Sequence, residues 1–168
     1  MLIAVDTNVL LDQALGDADV IDALGVLRER LKDVRFIVTP TVLHELAWQM
    51  DYADEQEDRD AAMSALGQLL DWGYEPLNVI PVGQGIVEQI SLKLRMRGII
   101  PEEEANDAAI IAEAALIGCN VLLSADGHMI EAEANPAFRA LLKDCHVEGD
   151  SLGIARPRII VQRFFRRQ

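Results

Sequence analysis

Short runs of apolar residues alternate along this chain with longer segments whose apolar residues recur at helical spacing. Continuous apolar runs are typical of strands that are buried on both faces, as in a parallel sheet. The predicted strands span residues 2–5, 35–39, 77–82, 120–124 and 158–165. The predicted helices span residues 17–32, 55–73, 85–98, 101–118 and 136–143, and another begins at residue 40. This alternation predicts an α/β fold with a parallel sheet that is covered by helices on both faces.

The composition predicts one domain with an aliphatic core. The 168 residues are 51% apolar but only 5% aromatic. No apolar run reaches the roughly 20 residues of a membrane span, and no basic segment followed by an apolar one marks a signal peptide. Cys119 and Cys145 lie in apolar sequence and form no CxxC pair, so we expect buried thiols rather than a zinc site. We therefore expect a single cytoplasmic domain over residues 1–168.

The chain is strongly acidic, with 28 acidic and 15 basic residues and a net charge of −13. A general polyanion binder usually has a basic surface, so the charge argues against that class. A local basic rim could still bind nucleic acid, with weak and salt-dependent contacts outside the site.

Several short motifs resemble functional signatures but lack required residues. HELAW begins like a zinc-protease HExxH but has Trp48 where the second histidine should be. GDSLG matches the nucleophile elbow around Ser151, but no acid or histidine follows it. GQGIVE has Glu88 where a dinucleotide loop has its third glycine, and DTN has Asn8 where aspartyl phosphatases have a second Asp. These motifs favour none of the corresponding activities.

Four acidic residues are expected at one edge of the predicted sheet. Asp6 directly follows the first strand, and Asp126 follows the strand at 120–124. Glu45 lies in the first turns of the helix after the second strand, and Asp107 lies near the start of the helix before the fourth. In parallel sheets, ligands bind at the carboxyl ends of the strands, which is where these residues are expected.

Each acid also has an ordinary structural explanation. Asp6 and Asp126 could be turn residues, and Asp126 precedes Gly127 in a common turn pair. Asp107 could simply favour a helix N-terminus, and Glu45 could lie on a solvated helix face. These explanations leave the shared edge unaccounted for.

Clustered carboxylates need a counter-charge. Two carboxylates about 4 Å apart repel by roughly 4 kcal/mol at an effective dielectric constant of 20. A helix N-terminus stabilises a nearby carboxylate by only about 0.3–1 kcal/mol. No lysine or arginine is adjacent to any of the four in sequence. A site with oxygen ligands alone favours Mg²⁺ or Mn²⁺ over zinc.

The segments VDTNVLLD, TPTVLHELA and ANDAAIIAEAALIGCNVLLSAD together resemble the PIN-domain ribonucleases of the FEN-like nuclease group. The resemblance covers residues 2–130, beyond which residues 131–168 extend past the compact toxin-type members. It implies a three-layer α/β/α sandwich and an enzyme that cleaves single-stranded or structured RNA with Mg²⁺ or Mn²⁺ as the cofactor. Met129 and Ile130 stand where members often have an aromatic residue.

The resemblance also implies roles for individual residues. Asp6, Glu45, Asp107 and Asp126 correspond to the catalytic acidic quartet. We expect Asp6 and Asp126 to bind the metal directly, Asp107 to bind it directly or through water, and Glu45 to act as a general base or support a ligand. The auxiliary polar residues are Thr7, Asn8 and Ser124.

Two groups of basic residues could contact an RNA backbone around the acidic site. Lys93, Arg95 and Arg97 precede the Asp107 helix. A second group lies in the C-terminal segment and comprises Arg156, Arg158, Arg163, Arg166 and Arg167. The second group could instead protect an edge strand from pairing with other chains.

Three interpretations of function remain open. The chain could be a housekeeping ribonuclease, or a toxin that a small antitoxin inhibits through an arginine. It could also be a non-catalytic PIN-like module for protein or RNA binding, although such modules usually lose some of the four acids. The family also includes homodimers.

Overall fold

The computed structural model describes residues 1–147, 149 and 151–165. The strands in this part of the chain are β1 (Leu2–Val5), β2 (Arg35–Val38), β3 (Tyr74–Pro76), β4 (Val121–Leu123) and β5 (Gly153–Ala155). The helices are α1 (Thr7–Ala14), α2 (Ala18–Arg30), α3 (Pro40–Tyr52), α4 (Gln56–Gln68), α5 (Pro81–Met96), α6 (Ala105–Ile117), α7 (Gly127–Ala134), α8 (Pro136–Asp144) and α9 (Pro157–Phe165).

The strands form one parallel sheet in the order β3-β2-β1-β4-β5. The central strand β1 pairs with β2 through Ile3 and Phe36, and with β4 through Ala4 and Leu122. After β1 the chain builds outward through β2 and β3, and it then crosses to the other side of β1 to form β4. The carboxyl ends of β1 and β4 therefore flank the switch in strand order, where ligands bind in open α/β folds.

The sheet is buried on both faces, as the sequence predicts for an α/β/α sandwich. Ile3, Ala4 and Val5 of β1 are fully buried, as are Leu122 and Leu123 of β4. Helix α6 is also a core element, because seven of its residues are buried and it packs against both α3 and α5. This rigid centre fixes the loops that follow β1 and β4.

Two predicted strands are wrong. Residues 77–82 form no strand, because Gly73 turns the chain with φ of 79° and β3 starts immediately after it at Tyr74. Pro81 then occupies the first turn of α5, where its missing N–H costs nothing. Residues 158–165 belong to α9, which begins at Pro157, and the short β5 takes the sheet position expected for them.

The correction at the C-terminus also changes one interpretation. Arg158 lies on a helix that packs against α2, so it does not protect an edge strand. Arg166 and Arg167, and the side chain of Arg163, lie outside the described residues.

The structure also adds two helices that the sequence analysis did not predict, α1 and α7. Both have eight residues, and both begin at an aspartate that closes a strand-to-helix turn. No helix in the described ranges has the length and apolar character needed to cross a bilayer. Cys119 is buried and Cys145 is half-buried, and neither is in a disulfide.

Candidate active site

Asp6 lies at the junction between β1 and α1, and its side chain is only 3% exposed. Its backbone N–H donates to the Leu123 carbonyl at 2.9 Å, which continues the ladder between β1 and β4. Its Oδ1 accepts from the Thr7 backbone N–H at 2.7 Å, so Asp6 is the N-cap of α1. The strand-to-helix turn thus holds a carboxylate at the carboxyl edge of the central strand.

The second oxygen of Asp6 is tied to the turn after β4. Its Oδ2 accepts from Asn8 Nδ2 at 2.6 Å and from Ser124 Oγ at 2.7 Å. Ser124 Oγ in turn accepts from the Asp126 backbone N–H at 2.9 Å, and Asn8 Oδ1 accepts from the Ala125 N–H at 3.0 Å. These contacts join residues more than 100 positions apart into one network.

Asp126 repeats the arrangement of Asp6 at the neighbouring strand. It is the N-cap of α7, and its Oδ1 accepts from the backbone N–H groups of His128 at 2.6 Å and Met129 at 3.1 Å. Both contacts use the same oxygen, which leaves Oδ2 without a protein donor in the described part of the chain. Asp126 therefore combines a fixed side chain with a carboxylate oxygen that can bind a ligand.

Glu45 reaches the same edge from α3. Its Oε2 accepts a hydrogen bond from the hydroxyl of Thr7, the residue whose backbone N–H donates to Asp6. Thr7 is 4% exposed, and Glu45 is half-buried. Thr7 therefore links two of the predicted acidic residues through adjacent atoms.

Asp107 lies in the first turn of α6 and is half-buried. Burial, together with repulsion from Asp126, Asp6, Glu104 and Glu45, raises its pKa to about 7. The same causes act on Asp6. Its pKa is raised to about 6 by burial against the lowering effect of its hydrogen bonds, with added repulsion from Glu45 and Asp126. The four predicted acids therefore share one electrostatic environment.

Two further acidic residues, for which the sequence predicts no role, lie on or next to α6. Glu104 immediately precedes α6 and repels Asp107, and its Oε1 lies 4.0 Å from His128 Nε2. Glu113 of α6 is 4% exposed, but it accepts from the Thr41 N–H at 3.1 Å and the Thr41 hydroxyl at 2.9 Å. Glu113 thus stabilises the N-terminus of α3 and lies outside the site.

The donor set fits a hard divalent cation. Asp6, Asp107 and Asp126 offer carboxylate oxygens, which suit Mg²⁺ or Mn²⁺. Among the residues that the structure describes, no lysine, arginine or histidine forms an ion pair with these three acids or with Glu45. The described acidic, histidine and cysteine side chains also include no group of three placed to enclose an ion. The site is thus a set of neighbouring, mutually repelling carboxylates rather than a closed cage.

The predicted basic residues have different surroundings. Arg95 is half-buried and donates to the Glu102 carbonyl at 3.1 Å, while Arg97 is exposed just after α5. Arg156 is exposed directly after β5, at the same edge of the sheet as Asp126. Two others already have partners, because Lys93 Nζ lies 3.8 Å from Cys145 Sγ and Arg158 Nε lies 3.6 Å from Asp19.

The raised pKa values predict that the metal-free protein loses stability as the pH rises. Asp6 and Asp107 have an ordinary pKa of 3.8 and folded values of about 6 and about 7. At a pH between the ordinary and the raised pKa, the folded state binds more protons than the unfolded state. The free energy of unfolding therefore falls as the pH rises from about 4 to about 7. Urea unfolding in EDTA should show this slope, and Asp6→Asn should make it shallower. An equal slope in both proteins would contradict the assignment to Asp6.

The sequence matches a known protein family. Residues 3–135 match the family described as PIN domain. No protein with a curated description matches the sequence.

The fold is also similar to solved structures. One is VapBC2 from Rickettsia felis bound to a DNA fragment from its promoter, with a TM-score of 0.61, 15% identity, and coverage of 93% of this chain and 98% of that chain. A second is VapBC-1 from nontypeable Haemophilus influenzae, with a TM-score of 0.57 and 14% identity. The match covers 94% of this chain and 98% of that chain. A third is VapBC-5 from Mycobacterium tuberculosis, a member of the VapBC family of toxin–antitoxin systems, with a TM-score of 0.55 and 21% identity. The match covers 92% of this chain and 98% of that chain. On the match of its sequence over residues 3–135, this chain belongs to the PIN domain family.

Proposed function

We propose that this chain is a metal-dependent endoribonuclease that hydrolyses phosphodiester bonds in RNA. The observation that carries the proposal is the meeting of Asp6, Glu45, Asp107 and Asp126 at the carboxyl ends of β1 and β4. Burial, together with their mutual repulsion, raises the pKa of Asp6 and Asp107, and no described basic side chain neutralises them. Keeping unpaired carboxylates together is costly for stability alone, and a cation-dependent reaction explains it.

In this proposal Asp6, Asp107 and Asp126 hold the cation, which when bound supplies Lewis-acid activation of water and neutralises charge on the phosphodiester. Ser124 and Asn8 keep Asp6 Oδ2 in position through the hydrogen bonds described above. Thr7 holds Glu45 through Oε2, which leaves Oε1 to accept a proton from the attacking water. The protein residues thus orient ligands and receive the proton.

A second proposal concerns biological context. Similarity in fold to chains of VapBC toxin–antitoxin complexes favours a toxin that a small antitoxin inhibits. The presence of the complete acidic set favours a nuclease over a non-catalytic PIN-like module. We also propose a cytoplasmic location and leave a homodimer as one assembly to be tested. A neighbouring small gene encoding an arginine-bearing C-terminus would support the toxin over a housekeeping ribonuclease.

The function is tested by incubating the purified chain with RNA in Mg²⁺ or Mn²⁺, with EDTA as the control. We expect cleavage that depends on the divalent ion and is abolished by EDTA. Sequencing of RNA 5′ ends after induced expression would then identify the substrate. Metal-independent cleavage, or none with either ion, would contradict the proposal.

The basic residues at the C-terminal end of α5 provide a prediction about RNA binding. Changing Arg95 and Arg97 together to Ala should weaken binding to single-stranded RNA. The slope of the logarithm of the binding constant against the logarithm of the salt concentration should become shallower by about 0.7 for each lost phosphate contact. Fluorescence anisotropy over a range of salt concentrations measures both quantities. The matched control changes Arg30 and Lys32 to Ala, which removes the same charge from exposed positions before β2, at the opposite edge of the sheet. Equal effects in the two double variants would place the RNA path elsewhere.

A further inference from the structure

Two large aromatic side chains lie exposed on α3 close to the acidic site. Trp48 is 55% exposed and Tyr52 is 66% exposed, although most large apolar side chains of this helix face the core. Their ring centroids lie 5.9 Å apart, with ring planes inclined by 36°. Leaving this much aromatic surface in water gains nothing for folding, so a ligand that covers it would be stabilised by the hydrophobic effect.

Trp48 lies about one helical turn from Glu45, and Tyr52 lies about two turns from it. At 1.5 Å of rise per residue, Trp48 is about 4.5 Å and Tyr52 about 10 Å along the helix axis from Glu45. Residues three apart on a helix also share a face, so Glu45 and Trp48 present their side chains on the same side of α3. A substrate held at Glu45 therefore passes next to Trp48.

A cleft of about 370 Å³ lies between this part of α3 and the start of α6. It is lined by His44, Glu45, Trp48 and Gln49 of α3 and by Asn106, the neighbour of Asp107. This volume is at the lower end of the range for small-ligand sites, which suits a group the size of a nucleoside. One wall thus carries an aromatic ring, and the others carry amide and imidazole groups that can both donate and accept hydrogen bonds.

The charge of the cleft favours contact with bases rather than with phosphates. No lysine or arginine is among its lining residues in the described part of the chain, and Glu45 adds a negative charge. Base stacking on aromatic rings needs no positive charge and is worth about 1–3 kcal/mol per base. The amides of Gln49 and Asn106 match the donors and acceptors on the edge of a base.

We infer that Trp48 and Tyr52, with the cleft beside them, form a stacking site for the base of an unpaired nucleotide flanking the bond that is cleaved. The inference rests on the proposed function and deepens it, since it makes the substrate single-stranded at that position. Trp48 and Tyr52 act in binding and take no part in proton transfer.

The test measures kcat and KM on a short single-stranded oligoribonucleotide with Mn²⁺. Trp48→Ala should raise KM about tenfold, as expected for one lost stacking contact, and change kcat by less than about twofold. Trp48→Phe should restore most of the affinity because it keeps a ring. The control is Leu70→Ala, which removes an apolar side chain that is 75% exposed near the start of β3, at the other edge of the sheet.

A second substrate series identifies the base. Oligoribonucleotides with one abasic residue at each position around the mapped cleavage site should include one for which wild type and Trp48→Ala have the same KM. If Trp48→Ala leaves KM unchanged on the normal substrate, or raises it equally on every abasic substrate, the stacking site is refuted.

The failures of the two proposals are distinguishable. A wild-type protein that cleaves no RNA refutes the proposed function, whereas cleavage with an unaffected Trp48→Ala variant refutes only the stacking site. A Trp48→Ala variant that changes the elution volume in size-exclusion chromatography while KM stays the same would assign the pair to a contact between copies of the chain, which also overturns the inference.

Discussion

Asp6→Asn is expected to lower the rate of RNA cleavage by more than about 100-fold, the upper end of the loss seen for groups that only support a metal ligand. Asp6 is the most buried of the four predicted acids and accepts three hydrogen bonds that join the turns after β1 and β4. Replacing one carboxylate oxygen with an amide removes the charge that a cation needs while keeping the size of the side chain. The measurement is the rate of RNA cleavage at saturating Mn²⁺.

The fold should survive this change. The new side chain can still accept from the Thr7 N–H through Oδ1, as Asp6 does at 2.7 Å. Its amide would face the donor of Asn8, which costs on the order of 1 kcal/mol. Loss of a buried charge offsets that cost, because burial already raises the pKa of Asp6 to about 6. The melting temperature should therefore change by only a few degrees.

A matched control is available in the same part of the chain. Asp17 is the N-cap of α2 and accepts from the Val20 N–H at 3.0 Å, but it is exposed and outside the site. Asp17→Asn makes the same chemical change at the same kind of position and should keep full activity. If Asp6→Asn retained activity in a preparation free of contaminating nuclease, the assignment of the acidic residues would be wrong.

Mg²⁺ or Mn²⁺ should raise the melting temperature of the metal-free protein by about 5–10 °C. A ligand that binds only the folded state at 100 times its dissociation constant adds about 2.7 kcal/mol, and each kcal/mol shifts a chain of this size by about 2–4 °C. The folded state has this preference because it buries carboxylates next to one another, and burial together with their repulsion raises the pKa of Asp107. Differential scanning calorimetry in EDTA and in excess metal measures the shift.

Two comparisons separate specific binding from general screening. Potassium chloride at matched ionic strength should give a smaller shift, because it screens the net charge of −13 without occupying the site. At pH 5 the divalent shift should shrink, because the raised pKa values of about 6 and about 7 leave Asp6 and Asp107 protonated. A shift of equal size with both salts, or at both pH values, would contradict a defined site.

The position of Asp6 and Asp126 at one edge of the sheet could be predicted from the sequence, because it depends on strong local patterns. The apolar runs of β1 and β4 define strands buried on both faces, and Asp6 and Asp126 follow them directly. The predicted helices 85–98 and 101–118 end on Gly98 and Gly118, and both glycines adopt positive φ. The topology of parallel sheets then brings the two strand ends to one place.

Other features depend on contacts that no local pattern encodes. The hydroxyl of Thr7 bonds to Glu45, and the hydroxyl of Ser124 bonds to Asp6 over 118 positions in sequence. Glu104 stands in a run of three acids, and only the start of α6 after it decides which of them approaches Asp107. The sequence of residues 158–165 predicts a strand although they form a helix, because the apolar residues of a short amphipathic helix can also satisfy a strand pattern.

The sequence context of Glu113 indicates a buried acidic residue. Glu113 is a single acid inside the apolar run AAIIAEAALI, and such a residue needs a buried partner. The partner is Thr41 at the start of α3, so hydrogen bonds to that residue explain this buried acid.

The most direct test of the site is a titration with Mn²⁺ followed by the electron paramagnetic resonance signal of the free ion. At pH 8 the wild-type protein and Asp17→Asn should show saturable binding, while Asp6→Asn and Asp126→Asn should lose it. Absence of saturable binding by the wild type, or binding that persists unchanged in both site variants, would contradict the assignment of these carboxylates to one cation site.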